Sequence, residues 1–326
     1  MNKCFFLLFF LSPLVLLPTE ENPMAVGHLN ELDLACVERS LREHVRVLTV
    51  EIGERSVADW EGHLRAAHYI ANVFRQAGLE PVEEPYEFEG HRVANILAEV
   101  PARGSGKRIL VGAHYDSVAG TVGADDNASA VAVLLETARL FASFGTHGGL
   151  TPAVQFAAFA LEEPPAYGTR AMGSRVRARN AQENGERLDA MICLEMVGYT
   201  CRSPGCQNYP WPLRFKNYPD RGDFIGIVGN GRSKGLVRAM ETAFRKNPDL
   251  PVVTLAVPFN GWLIPSVRLS DHAPFWDRGY RAVMVTDSAF YRNPHYHTPC
   301  DTMETLDFPF MAQLVKSLLL FLLQER

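Results

Sequence analysis

The chain has 326 residues, 47% of them hydrophobic, with 32 basic and 37 acidic side chains and a formal net charge of -5. A chain of this length can bury a large core, and the absence of a composition break favours one α/β domain over two small ones. The charges are spread without long runs of one sign, which leaves no electrostatic footprint for a polyanion, so no nucleic-acid partner is expected.

Residues 1–25 read as an export signal or a short anchor. Met1-Asn2-Lys3 is followed by an almost unbroken apolar stretch from Cys4 to Leu17, a basic segment and then a hydrophobic one. About 14 apolar residues interrupted by Pro13 fall short of the ~20 that span a bilayer. Export to a periplasmic or secreted location is therefore expected, with membrane association only if the segment is retained. Ala25 is a candidate for the last residue of the leader, and the cleavage point stays open.

Residues 26–326 are expected to form a single domain. Apolar spacing at Leu34, Val37, Leu41, Val45 and Leu48, then at Ala66, Ile70, Val73 and Phe74, predicts two helices, the second stopped at Gly78. Alternation through Tyr86, Phe88, Val93, Ile96 and Leu97 around Gly90 predicts a hairpin. Strand-like runs at 109–111, 154–160, 190–197, 224–228, 252–257 and 281–286 then alternate with helical segments at 128–143, 171–184, 233–246 and 309–323. Strands interleaved with helices predict a sheet covered on both faces, a three-layer α/β/α sandwich. The proline-rich stretch from Gly198 to Arg221 reads as a long ordered loop and a candidate pocket rim. The last helix carries Leu318 to Leu323 but is too short to span a membrane.

Without the leader's Cys4, five cysteines remain: Cys36, Cys193, Cys201, Cys206 and Cys300. At least one must stay unpaired within the chain. Cys201 and Cys206 close a tight turn that suits a local disulfide in an oxidising compartment. A thiolate zinc cage lacks the second close pair it would need.

Five short segments carry groups that packing alone does not explain. His114 and Asp116, two apart at a strand end, face the same way, so the carboxylate can orient the imidazole. Asp125 and Asp126 precede the helix that begins near Ala128; one acid would serve as a cap, whereas an adjacent pair repels unless a cation or donors offset it. Glu162 and Glu163 end an apolar strand and point apart, which allows one to bind a metal and the other to act as a general base. Pro164 restricts Glu163 to extended backbone. Glu195 is a lone carboxylate in a buried run and needs a partner. His295 and His297 lie beyond the strand ending at Val285, and their spacing does not choose between them. All five segments follow predicted strands of one sheet, where open α/β folds build their sites. A set of histidines and carboxylates with no cysteine suits a catalytic pair of metal ions better than a closed structural site.

The ordered set His114-x-Asp116, Gly123-Ala124-Asp125-Asp126-Asn127, Glu162-Glu163, Leu194-Glu195-Met196 and His297-Thr298 resembles the dinuclear zinc exopeptidases of the aminopeptidase family, relatives of glutamate carboxypeptidase II and of the single-zinc glutaminyl cyclases. The resemblance runs from about residue 60 to the end of the chain. It implies a central mixed, mostly parallel sheet and two zinc ions, one held by His114 and Glu195, the other by Glu163 and His297, with Asp126 bridging. Glu162 would be the general base, Asp116 would orient His114, and Tyr296 would take the place of an oxyanion-stabilising tyrosine. His295 and Asp125 fall outside this set. The implied substrate is a peptide and the implied activity that of an aminopeptidase, with a carboxypeptidase, a glutaminyl-cyclase-like acyltransferase and a non-catalytic binding module as alternatives. Two departures stand out: Glu195 replaces an aspartate common in the family, and Pro164-Pro165-Ala166-Tyr167 intervenes where many members turn quickly into glycines.

Overall fold

The computed structural model describes residue 29 and residues 31–144 and 151–324. The expected export segment lies outside the described residues.

Helix α1 (Leu34–Arg46) starts where Asp33 accepts hydrogen bonds from the amides of Ala35 and Cys36, and helix α2 (Trp60–Gln76) starts where Asp59 accepts from Gly62. Each cap satisfies amides that the first helical turn leaves open. Strands β1 (Val82–Phe88) and β2 (His91–Val100) form the expected hairpin, in which Phe88 faces His91. Both turn residues have positive φ, 49° at Glu89 and 79° at Gly90, the geometry that matches the twist of a two-residue hairpin.

The remaining elements are β3 (Gly104–His114), α3 (Ala130–Phe144), β4 (Thr151–Phe159), α4 (Gly173–Glu183), β5 (Ala190–Glu195), β6 (Ile225–Asn230), α5 (Lys234–Phe244), β7 (Val252–Val257), α6 (His272–Asp277), β8 (Ala282–Thr286) and α7 (Phe308–Leu322). The eight strands form one sheet in the order β1-β2-β4-β3-β5-β8-β6-β7. Parallel pairing joins β4 to β3, β3 to β5, β5 to β8 and β6 to β7, and the other three pairs are antiparallel. The sheet is thus mixed and mostly parallel, as the resemblance implies.

Alternate residues of the central strands enter separate cores. Ile109, Val111, Ile192 and Leu194 pack with α1, α2, α3, α5 and α7 on one face, while Leu110, Met191 and Cys193 pack with α4 and α6 on the other. This is the period-two pattern of a sheet buried on both sides. Over β6 and β7 the second face carries no α-helix among the described residues. The Gly198–Arg221 loop lies there, pinned by a Cys201–Cys206 disulfide and a bridge between Cys201 and Gly222. Among the described residues no helix is long and apolar enough to cross a membrane.

Helix α6 is the element that periodicity misses. It has six residues, with Pro274 in its first turn, where a missing amide costs nothing but the apolar repeat is too short to read.

Candidate metal centre

Strands β3, β4 and β5 run parallel and adjacent, so the residues at their carboxyl ends converge. The chain passes from β3 to β4 on one side and later returns to β5 on the other, which opens a crevice at the ends of these strands. His114 closes β3, Glu162 and Glu163 follow β4, and Glu195 closes β5. Leu161 and Met196, beside the β4 and β5 carboxylates, have φ of 58° and 44°, and His297 has 55°. A left-handed backbone costs a residue with a side chain about 1–3 kcal/mol and persists where the surroundings impose it, typically at a functional site.

The structure brings together all five proposed ligands. His114 Nε2 lies 3.4 Å from Asp126 Oδ1 and 3.5 Å from Glu195 Oε2. His297 Nε2 lies 3.1 Å from Asp126 Oδ2 and 3.4 Å from Glu163 Oε1. Asp126 therefore turns one oxygen to each imidazole. Ligand atoms of His114, Asp126 and Glu163 all fall within 4.8 Å of one another. His114 Nε2, Asp126 Oδ1 and Glu163 Oε1 are buried and make no hydrogen bond. Buried polar atoms without partners are costly, and a cation among them removes that cost. The donor set, imidazole and carboxylate, suits zinc.

The electrostatics agree. Burial lowers the proton affinity of His114, yet Asp116, Asp126 and Glu195 outweigh it and hold the imidazole well above its usual range. His297 is likewise raised to about 10 by Asp126 and Glu163 against the effect of burial. Burial and the charge of Asp126 push Glu163 up to about 8. Too many carboxylates share too little positive charge, and a divalent cation would supply what is missing.

Asp116 is fully enclosed. Its oxygens accept from the amides of Glu162 and Glu163 at 2.9 Å each, and Oδ1 lies 3.4 Å from His114 Nδ1. Burial raises this carboxyl, but His114 and the two amides prevail and keep it low. One carboxylate thus touches both the His114 ring and the backbone of the Glu162-Glu163 pair. Glu162 is itself buried, and burial with the charges of Glu163 and Glu195 pushes it well above the ordinary range against the pull of His114. Tyr296 lies flat on the His297 ring, with centroids 3.7 Å apart.

The bend that presents Asp126 depends on Gly123, whose φ is 50° and whose added Cβ would meet Asp126 O at 2.1 Å, and the Asp126–Asn127 peptide is cis. Asp125 faces the other way, accepting from Gly198 N and Asn293 Nδ2. His295 makes no contact with the ligand cluster among those described; its ring packs near Tyr199.

Four supporting residues escape a reading of the sequence. Asp301 accepts from the amides of Asp125 and Asp126. Ser270 donates to Glu195 Oε2 at 2.6 Å. Asp271 is fully buried with neither oxygen hydrogen-bonded, and burial pushes it up to about 7. Arg55, also fully buried, donates to the carbonyls of Leu48, Gly53, Tyr115, Val122 and Gly123, placing a cation behind the anionic cluster. An acid following His297-Thr298 was the one available signal; nothing local marks the others.

Three cavities meet at Leu269. The central one is lined by Asp126, Glu162, Glu163, Glu195, Tyr296 and His297. A second, of about 860 Å³ with its open mouth, joins it at Glu195 and Tyr296 and runs beneath the Gly198–Arg221 loop over Gly226, Val228, Leu255 and Met284. A third joins it at Tyr167.

A hydrolase that works with a bound divalent cation fits this arrangement, and comparison with known proteins narrows it. The sequence profile of peptidase family M28 matches residues 95–322, and the chain belongs to that family; it is a metallopeptidase. It is 39% identical over 295 residues to the uncharacterized protein YfbL of Escherichia coli (strain K12), covering 88% of each chain. It is 28% identical over 286 residues to leucine aminopeptidase 1 of Blastomyces gilchristii, covering 84% of this chain but 65% of that one. The fold is similar to LapA aminopeptidase of Legionella pneumophila, with a TM-score of 0.71 at 17% identity over 100% of this chain and 80% of the other. It is also similar to a glutaminyl cyclase of Porphyromonas gingivalis, with a TM-score of 0.64 at 21% identity over 87% and 97%. Zinc is the metal that the family implies.

Proposed function

We propose that the protein is an exported zinc aminopeptidase with two metal ions, His114 and Glu195 holding one, Glu163 and His297 the other, and Asp126 both. The carrying observation is Asp126, which offers one oxygen to each histidine while Oδ1, His114 Nε2 and Glu163 Oε1 have no hydrogen-bond partner. Zinc held there would supply Lewis acidity toward the scissile carbonyl and acidify the attacking water. Glu162 takes the proton that water gives up and passes it to the leaving amine; it lines the central cavity beside the proposed ligands. Asp116 fixes the His114 ring, and the Tyr296 hydroxyl donates to the oxyanion.

Among the described residues no Lys or Arg lines the central cavity, which leaves the carboxylate of a peptide's C-terminus without a cationic side chain there. This supports an aminopeptidase over a carboxypeptidase. The neighbouring cavity is largely apolar and accepts the first side chain. Its lining carries no charge apart from Glu195 at the mouth, so an uncharged, bulky first residue is favoured. The disulfide of the covering loop supports an oxidising compartment.

Metal analysis with a peptide panel tests the reading. It expects about two zinc ions per chain and hydrolysis of leucyl peptides with a free amino terminus but not of their N-acetylated forms. Cleavage of the blocked peptides would point to a carboxypeptidase, and one zinc with lactam formation from N-terminal glutamine to an acyltransferase.

A further inference from the structure

The third cavity has a chemistry of its own. It is a groove of about 620 Å³ with its open side, lined among others by Tyr167, Met172, Arg175, Trp262, Arg268 and Leu269. Among the described residues no acidic side chain lines it. The two guanidinium groups are not equivalent. Arg268 is 8% exposed and fully engaged, donating to Asp277 Oδ1 and Asn260 O at 2.7 Å each, with Trp262 stacked 4.0 Å from its carbon. Asp277 is thereby neutralised. Arg175 only approaches the other oxygen of Asp277, at 4.0 Å, beyond hydrogen-bond length, and its side chain is 36% exposed. Its Nε is buried with no partner. Arg175 also stands in the first turn of α4, where the helix dipole disfavours a cation. A partly exposed guanidinium that lines the groove and stands against a helix dipole is suited to an anion.

The direction of the substrate follows from the proposed aminopeptidase reading, on which this inference rests. With the amino group among the carboxylates and the first side chain in the apolar cavity, the chain beyond the scissile bond leaves past Tyr167 and Leu269. We propose that this groove is the subsite for the leaving half of the peptide, and that Arg175 binds a carboxylate there, so that peptides with an acidic second residue are preferred. The preference is electrostatic: a partly exposed arginine in a groove with no acidic lining attracts a carboxylate and leaves its neutral isostere indifferent.

The test compares kcat/KM for Leu-Asp-Gly-amide and Leu-Asn-Gly-amide on the zinc-loaded full chain. The isosteres differ in charge alone. The aspartyl peptide should be favoured by about three- to tenfold at low ionic strength, and the ratio should shrink as salt rises. Arg175→Gln should bring the ratio to about one, while Arg175→Lys, which keeps the charge, should retain part of it. A wild-type ratio of one or less, or a ratio that survives Arg175→Gln, overturns the proposal. If neither amide is cleaved while N-acetylated peptides are, the aminopeptidase reading fails instead.

Discussion

Glu162 and Glu163 are adjacent in sequence and differ in their surroundings: Glu163 meets His297 at 3.4 Å, while Glu162 faces the cavity. Their separation is enforced by Asp116, which holds both amides. Glu162→Gln keeps the shape and removes the proton acceptor, so kcat should fall by about 10²–10⁴-fold with zinc content unchanged; near-normal turnover at full zinc occupancy would refute the base assignment. Asp116→Asn should act differently. It weakens the partner of His114 Nδ1, and zinc affinity, measured by competition with a chelator, should drop by about 10–100-fold. The residue scale also shows what sequence can carry. The clustering of His114, Asp126, Glu163, Glu195 and His297 was legible because their motifs keep a fixed order, whereas Ser270 was not, since it acts on Glu195, a partner made close only by folding, and Asp271 was not, since only folding buries it.

Elements position these residues with unequal legibility. The strands and long helices followed from apolar period, because burial on both faces leaves a strong pattern. Arg55 sits between α1 and α2, in a stretch with no repeat, and of its five backbone acceptors Leu48 and Gly53 are local while Tyr115, Val122 and Gly123 are brought from about sixty residues away. Arg55→Met keeps much of the volume but strands those carbonyls, and stability should fall by about 3 kcal/mol or more; urea denaturation of the variant would show it. The Gly198–Arg221 loop was recognised as a rim, but not the cavity beneath it, where among the described residues the loop rather than an α-helix lies over this face of β6 and β7. Val228 lies on that floor. Val228→Phe should shift preference from bulky first residues toward small ones, read as the ratio of kcat/KM for phenylalanyl and alanyl substrates.

At the scale of the whole molecule, stability is tied to protonation away from the metal ligands. His272 is fully buried, and burial lowers it from 6.5 to about 4. Between those values the unfolded chain holds a proton that the folded chain refuses, so stability present above pH 6.5 is lost as pH falls toward 4 and changes no further below. The loss should be on the order of 3 kcal/mol, and His272→Gln should show a correspondingly smaller drop between neutral and mildly acidic buffer. Sheet order was beyond the sequence alone, because pairing β8 between β5 and β6 depends on which apolar faces meet in space. One feature of that order has a temporal side. Helix α7 closes the same core as α1, and His297 lies just ahead of it in the chain. During synthesis all five candidate ligands are made before α7, so the donors are all present in the chain before the helix that completes their supporting core.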